Sequence, residues 1–295
     1  MKNLRFLPWL LITLGLATIT FNSCGIKVDS ITLDQQTLTL AVAEDCTLTA
    51  IVLPDDAADK TVTWTSSADS IATVSDGKIT AISQGTVTIT AGAGDQTATC
   101  IVMVTAPVDE EGLTEDIRNI IPDKYIKILK KFGFQINGGN TPPNLEGYFL
   151  ADPLELVDKN FGSDVAFQKD MYLTLYEQNN IDLTIKVNYN VWCDYTGKGD
   201  TGNICMEVNG LGSFIVGEGN KFTIFAESIR TNADGNSKAK TVEAFSGEIT
   251  ANGIKDYQWA VIMIDNGDGN NGKWIKNGNA YVKKDGDGLA VYIEK

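Results

Sequence analysis

The side chains this sequence offers for chemistry are carboxylates, amides, aromatic rings and a few thiols; histidine is absent from all 295 residues. Without imidazole there is no Ser-His-Asp or Cys-His nucleophile, no His metal ligand and no His-based pH switch. Catalysis would fall to carboxylates, Lys, Tyr or Ser, and carboxylates cleave glycosides in pairs held about 5–5.5 Å or 6.5–9.5 Å apart. Glu155, Glu207, Glu227, Glu243 and Glu248 lie on strand-like runs, but nothing in their spacing selects a pair. The chain reads as non-enzymatic, with no cofactor and no metal implied.

A binding constellation is better defined. Leu173 and Leu175 share one face of a strand, and Leu183, Ile185, Val187 and Val191 one face of the next. Directly opposed residues of an antiparallel pair lie on the same face. Keeping Leu175 opposite Leu183 predicts a three-residue loop, Gln178-Asn179-Asn180, with Asn180 left-handed. The other face then carries Tyr172, Thr174, Tyr176, Asn188, Asn190 and Trp192. Rings stack on the apolar faces of sugars while amides take the hydroxyls, so Tyr172, Tyr176, Asn188, Asn190 and Trp192 are the candidate ligand-binding residues. The competing expectation is a second buried layer or part of a closed barrel.

Two other residue types invite a site. Asp265-Asn266-Gly267-Asp268-Gly269-Asn270 resembles a calcium loop in composition, but positions 3 and 5, which should supply oxygen ligands, are glycines. Lys284-Asp285-Gly286-Asp287-Gly288 and Gly199-Asp200-Thr201-Gly202 read as hairpin turns. Beyond Cys24, four cysteines remain. Cys46 with Cys100 and Cys193 with Cys205 are candidate disulfides, and the alternative for each pair is buried free thiols. Opposing Cys193 to Cys205 also sets Val191 against Glu207, which conflicts with burial unless a bulge intervenes.

These residues need strands to hold them. From Leu48 to Val104 apolar residues alternate with polar ones between Pro-Asp, Asp-Gly and Gln-Gly turns, the pattern of half-buried antiparallel strands in a sandwich. Trp64, flanked by Val62 and a Thr-Ser-Ser turn, belongs to that core. The segments ITLDQQTLTL, CTLTAIVLPDDAADKTVTWTSSADSIATVSDGKITAISQGTVTITA and TATCIVMV, over Ile31 to Thr105, resemble the bacterial Ig-like domain, group 2. The resemblance implies a spacer or adhesive sandwich of about seven strands with no catalytic residues.

Ala106-Pro107-Val108-Asp109-Glu110-Glu111-Gly112 is a polar boundary. Thr114, Glu115 and Asp116 make a helix start, and Pro122 opens a second helix. Tyr125, Ile128, Leu129 and Phe132 form its apolar face, with Lys124, Lys127, Lys130 and Lys131 largely solvated on the other and Gly133 as the stop. That apolar face is expected to pack on the following β-domain. Residues 146 to 295 hold about ten strand-like runs joined by Gly, Asn and Asp, which means an antiparallel barrel or sandwich. A helix before Gly147-Tyr148 and then up-and-down strands is similar to the calycin or lipocalin plan, with Tyr148 where that family has Trp. It is also similar to small lipoprotein domains of unknown function found with this Ig-like module. The calycin resemblance implies a carrier of a small apolar ligand.

The N-terminus supplies an address. Lys2 and Arg5 precede an uncharged apolar run from Phe6 to Phe21, too short for a confident bilayer span and typical of a secretory signal. Phe21-Asn22-Ser23-Cys24 resembles the lipobox of bacterial lipoproteins, which implies cleavage before Cys24, its lipidation and, with Gly25 following, delivery to the outer membrane or cell surface. The chain holds 24 basic and 38 acidic residues, net −14. Losing Lys2 and Arg5 deepens that deficit, so nucleic acid is excluded as a partner. The fold class expected is all-β: a signal peptide over 1–23, an Ig-like β-sandwich over 24–107, an acidic linker and helical segment over 108–145, and a second antiparallel β-barrel or sandwich over 146–295. The expected partners are a membrane, through the lipid anchor, and a glycan or protein ligand.

Overall fold

The computed structural model describes residues 25–162, 168–193, 203–209, 211–231, 238–267 and 275–294. The signal segment and Cys24 lie outside the described residues, as do most of Asp265–Gly272 and the Gly199–Gly202 turn.

The first unit is built from nine short strands: β1 (Ser30–Leu33), β2 (Thr37–Ala41), β3 (Asp45–Thr47), β4 (Ala50–Leu53), β5 (Thr63–Ser66), β6 (Ala72–Ser75), β7 (Lys78–Ala81), β8 (Gly85–Ala93) and β9 (Gln96–Thr105). They form a four-stranded sheet, β2-β9-β8-β5, a three-stranded sheet, β3-β7-β6, and the pair β1-β4. Period-two alternation puts Val87, Ile89, Cys100, Val102 and Val104 inside with Leu40, Leu48 and Ile79, and Trp64 packs against this core. Cys46 opposes Ile79 in one sheet while Cys100 opposes Ile89 in the other. Both side chains belong to the same core cluster, yet they stand as free thiols. Cys100 is buried, Cys46 is half-buried at the edge of the core, and the two make no bridge.

Two helices follow, α1 (Glu115–Ile120) and α2 (Asp123–Lys131). Thr114 caps α1, its side chain accepting from the Ile117 amide. Pro122 stands one residue earlier than expected, as the N-cap of α2. Gly133, at φ 81°, takes the left-handed turn beyond the helix end that a Cβ would strain. Arg118 binds the helices to the boundary segment, reaching Asp109, Glu111 and Asp123 at 2.6–2.7 Å. On the basic face Lys130 contacts Glu111.

The second unit is a closed antiparallel barrel. Its strands are β10 (Gly147–Ala151), β11 (Leu154–Lys159), β12 (Gln168–Asn179), β13 (Thr184–Cys193), β14 (Asn203–Asn209), β15 (Leu211–Glu218), β16 (Lys221–Thr231), β17 (Lys238–Thr250), β18 (Gly253–Asp265), β19 (Ala280–Asp285) and β20 (Leu289–Tyr292). Neighbours in sequence pair from β12 to β19 except β14 and β15, which both pair with β13, and β20 joins β18 on one side and β10 on the other, which closes the ring. Three staves are broken strands: β10 and β11 part at Asp152-Pro153, β14 and β15 both run against β13, and β19 and β20 both run against β18. Asp285-Gly286-Asp287-Gly288 is therefore an insertion within one stave, opposite Asp256, and not the hairpin turn its composition suggests. Closure removes the exposed edges that an open sheet must otherwise protect.

The barrel interior is filled by Phe149, Phe222, Phe245, Tyr257, Trp259 and the aliphatic residues between them. On the outside, Leu113, Ile117, Ile121, Tyr125, Leu129 and Phe132 from the helical segment pack on Phe225, Val242, Ala244, Ile262 and Val282 of β16–β19. One flank of the barrel is thus covered by helices, as the apolar stripe of α2 requires.

The β12–β13 hairpin departs from the expected register. Leu175 opposes Val187, not Leu183, and Asn179 pairs with Thr184 after an irregularity following Tyr176. Glu177 and Leu183 take the left-handed conformation, φ 50° and 53°, in place of Asn180. The cause lies outside the hairpin. Gln178 accepts from the Leu145 amide at 2.9 Å and donates to the Pro143 carbonyl at 2.7 Å, so the tip is fastened to the segment entering the barrel. Shifting by an even number of residues keeps the apolar face intact.

Candidate functional site

The β12–β13 face carries all five residues singled out in the sequence. Met171, Leu173, Leu175, Ile185, Val187, Tyr189 and Val191 point into the barrel, so Tyr172, Tyr176, Asn188, Asn190 and Trp192 point outward. The register arranges them in rows: Leu150–Tyr172–Asn190, then Tyr148–Thr174–Asn188, then Tyr176–Lys186. Tyr172 is 40% exposed and meets Trp192 edge-on at 6.4 Å between ring centroids. The Asn188 amide donates to the Tyr176 hydroxyl at 3.1 Å. Lys186 pairs with Glu177 at 2.5 Å and lies over the Tyr176 ring. This face is on β10–β13 and the helices are on β16–β19, so the face is not a layer buried beneath the helices.

At the end of the same face stands a carboxyl pair absent from the sequence reading. Asp170 opposes Trp192 across the hairpin, and Asp152 occupies the next position along β10 after the Ala151–Met171 pair. Burial, and then the neighbouring Asp152 carboxyl, push Asp170 up to about 6. The Asp152 amide donates at 3.0 Å to Asp285, whose carboxyl is also raised to about 6 by burial and by Asp287.

A second polar constellation lies inside the barrel. One Glu243 carboxylate oxygen accepts from Ser228, Thr241 and both Nε and Nη2 of Arg230, and the other accepts from the Trp259 indole at 2.7 Å. Arg230 also donates to Tyr189 at 3.4 Å. Burial opposes the Arg230 charge, but Glu243 outweighs it and holds the guanidinium firmly protonated. The one signal in the sequence was a charged residue on the apolar phase of the β17 run. Lys283, also inside and 3% exposed, is lowered by burial to about 8.

Among the described residues the remaining glutamates do not converge, and the Glu207 side chain lies outside the described side chains. Glu243 is sequestered with Arg230, Glu227 pairs with Lys240, Glu155 with Lys284, and Glu248 borders a groove with Lys221 and Lys255. Among the described residues no cluster of three metal-ligating side chains occurs. As for Cys193 and Cys205, the backbone sets Cys193 opposite Asn203 and leaves Cys205 at a register shift, with Val191 facing Met206. The bulge does remove the Val191–Glu207 conflict; the thiols themselves lie outside the described side chains.

Comparison with known proteins assigns the first unit. Residues 27–102 match the bacterial Ig-like domain (group 2), and this part of the chain is such a domain. An uncharacterized protein of Clostridium acetobutylicum is 43% identical over 88 residues, 28% of this chain and 9% of that protein. An Ig-like virion protein of Serratia phage KSP90 is 38% identical over 94 residues, 31% of this chain and 36% of that protein. An alpha-L-arabinofuranosidase of Bifidobacterium longum subsp. longum is 53% identical over 55 residues, covering 18% of this chain and 5% of the enzyme. The chain therefore spans only 9%, 36% and 5% of the lengths of these three relatives. The enzyme similarity covers only the Ig-like region and brings no catalytic residues to the barrel. Domains 5–6 of the S-layer protein SbsC align over 87% of this chain and 96% of that one, at 14% identity and a TM-score of 0.25, too low to support a shared fold.

Proposed function

We propose that this protein is a lipid-anchored, extracytoplasmic binding or adhesion protein whose Ig-like domain is a spacer and whose barrel binds a glycan. The observation that carries the binding role is the outward face of β12 and β13, where Tyr172 and Trp192 form an aromatic pair beside Asn188 and Asn190. Ring faces and amides in alternation suit a ligand with apolar and hydroxylated sides. The Ig-like domain supports a surface address, and the apolar run ending at Cys24 supports the anchor. The interior counts against a carrier of apolar ligands, because aromatic side chains fill it around a buried ion pair.

A glycan array with the mature chain tests the reading. Retention of a defined glycan by the wild type, and its loss in Trp192→Ala and Tyr172→Ala, is expected. Indifference to both substitutions removes this face from binding. Cys24→Ser, followed by membrane fractionation, tests the anchor: release into the soluble fraction is expected.

A further inference from the structure

Large aliphatic side chains stand in solvent at one pole of the Ig-like domain: Ile26 is 50% exposed, Ile51 54% and Leu53 46%. Ile51 and Leu53 are two apart on β4, so they share its outer face, while Val52 between them enters the core. β4 has β1 on one side and, among the described residues, no strand on the other. Ile26 belongs to the same pole. Its carbonyl accepts from the Ala58 amide in the loop after β4, and three residues on, the Asp29 amide donates to the Leu53 carbonyl. Scattered exposed apolar residues need no explanation, but a group of them at one end of a domain marks a contact surface.

What covers this pole follows from where the chain comes from. Ile26 lies two residues beyond Cys24, at most about 7 Å of extended chain. No loose tether follows Gly25. A side chain there would collide with Ala58, so its backbone is pressed against that loop. Val28 already packs with Val52 and Ala93 in the inner cluster, and the β8–β9 turn lies here too, with Gly94 against Val28. A thiol carrying acyl chains sits in the headgroup layer, about 5–8 Å deep on each side of the hydrocarbon. Anchorage at Cys24 therefore brings this pole to the bilayer. From it β9 runs about 30 Å to Thr105, where the boundary segment leaves for the barrel.

Resting on the lipid-anchor reading above, we infer that this pole is a membrane-contact surface: Ile26, Ile51 and Leu53 enter the interface of a neutral bilayer, and the Ig-like domain stands on it with β9 running away from it. Around them the exposed Asp29, Asp55, Asp56 and Asp95 outnumber the exposed Lys27 and Lys60. Such a rim is repelled by anionic headgroups and tolerated by zwitterionic ones, which makes neutral phospholipid the partner. The acyl chains hold the protein at the membrane, and these side chains set its orientation.

The test places the lipidated chain in phosphatidylcholine vesicles containing a photoactivatable lipid, reactive near the top of its acyl chain, and maps the adducts by peptide mass spectrometry. Adducts at residues 26–29 and 51–53 are expected in several-fold excess over those at Ile82 and Ile229, which are 47% and 50% exposed. Ile51→Asp with Leu53→Asp, both on an exposed face, should abolish the excess at residues 26–29 and leave the protein in the membrane fraction. Adding phosphatidylglycerol should reduce the excess, and salt should restore it. Protein held by the vesicles with no excess at this pole overturns this inference and leaves the anchor standing. An excess indifferent to the double substitution does the same, because the tether alone would then account for it, and an excess that grows with phosphatidylglycerol overturns the choice of neutral lipid. A chain that stays out of the membrane fraction with Cys24 intact overturns both.

Discussion

Arg230 and Glu243 form an ion pair at 2.6 Å inside the barrel, with 5% and 0% of their side-chain surfaces exposed. The pair is costly to desolvate, and its worth depends on the complete set of donors around Glu243. Five donor atoms from Ser228, Thr241, Arg230 and Trp259 supply that set.

Breaking this pair from one side should be severe. Arg230→Met leaves Glu243 charged and without its cation, and a loss of about 3–5 kcal/mol is expected, the range for an orphaned buried charge. The double variant Arg230→Met with Glu243→Leu should recover much of that loss, because isosteric apolar replacement of both partners is often neutral. Urea unfolding of the barrel transition measures both. A double variant no better than the single one would contradict this account of the pair.

The two tryptophans of the barrel should separate stability from binding. Trp259 is fully buried and bonded to Glu243, so Trp259→Ala is expected to cost about 3–5 kcal/mol. Trp192 is half-buried on the outer face, and Trp192→Ala should cost no more than about 1 kcal/mol. Thermal or urea unfolding compares them. A loss of about 3 kcal/mol or more at Trp192 would mark it as a core residue and remove it from the binding surface.

How far the sequence revealed this structure depends on the range of the interaction concerned. Alternation along Tyr172–Tyr176 and Asn188–Trp192 was enough to sort inner from outer residues, because parity is local to a strand. Register was not. Leu175 faces Val187 because Gln178 is tied to Pro143 and Leu145, contacts more than thirty positions away in the chain. Asp285-Gly286-Asp287-Gly288 has the chemistry of a tight turn, and the same chemistry serves an insertion in a stave; only pairing with β18 distinguishes them. Asp152 and Asp170 become partners solely through the β10–β12 register, and barrel closure through β20 is equally non-local.

The raised carboxyls predict a pH dependence of stability. Asp170 and Asp285 both have folded pKa values of about 6, raised from 3.8. The folded state therefore binds more protons than the unfolded state between these values. Their contribution is fully present below about 3.8 and is lost as pH rises through about 6. Melting at pH 5 should accordingly exceed melting at pH 7.5, and Asp170→Asn should shrink the difference. Asp109 and Glu111 act in the opposite sense, since their lowered pKa values favour the fold at higher pH. Those contributions fade only as pH falls below the ordinary carboxylate range, outside the interval compared. An unchanged difference in Asp170→Asn would show that Asp170 is ionised in the fold at pH 5.

Cys100 offers a probe of the Ig-like domain alone. Its thiol is fully buried, free, and raised in pKa by burial and then by Asp34 and Cys46, so little thiolate is present or reachable in the native state. Iodoacetamide should leave Cys100 unmodified in the folded protein and alkylate it once urea unfolds the domain, with peptide mapping to separate it from the other cysteines. Cys46 is half-buried and should react at an intermediate rate. Because no bridge joins the two, treatment with reductant should not shift the unfolding midpoint of this domain. A shift would require a disulfide between Cys46 and Cys100, and their alkylation after unfolding would then depend on prior reduction.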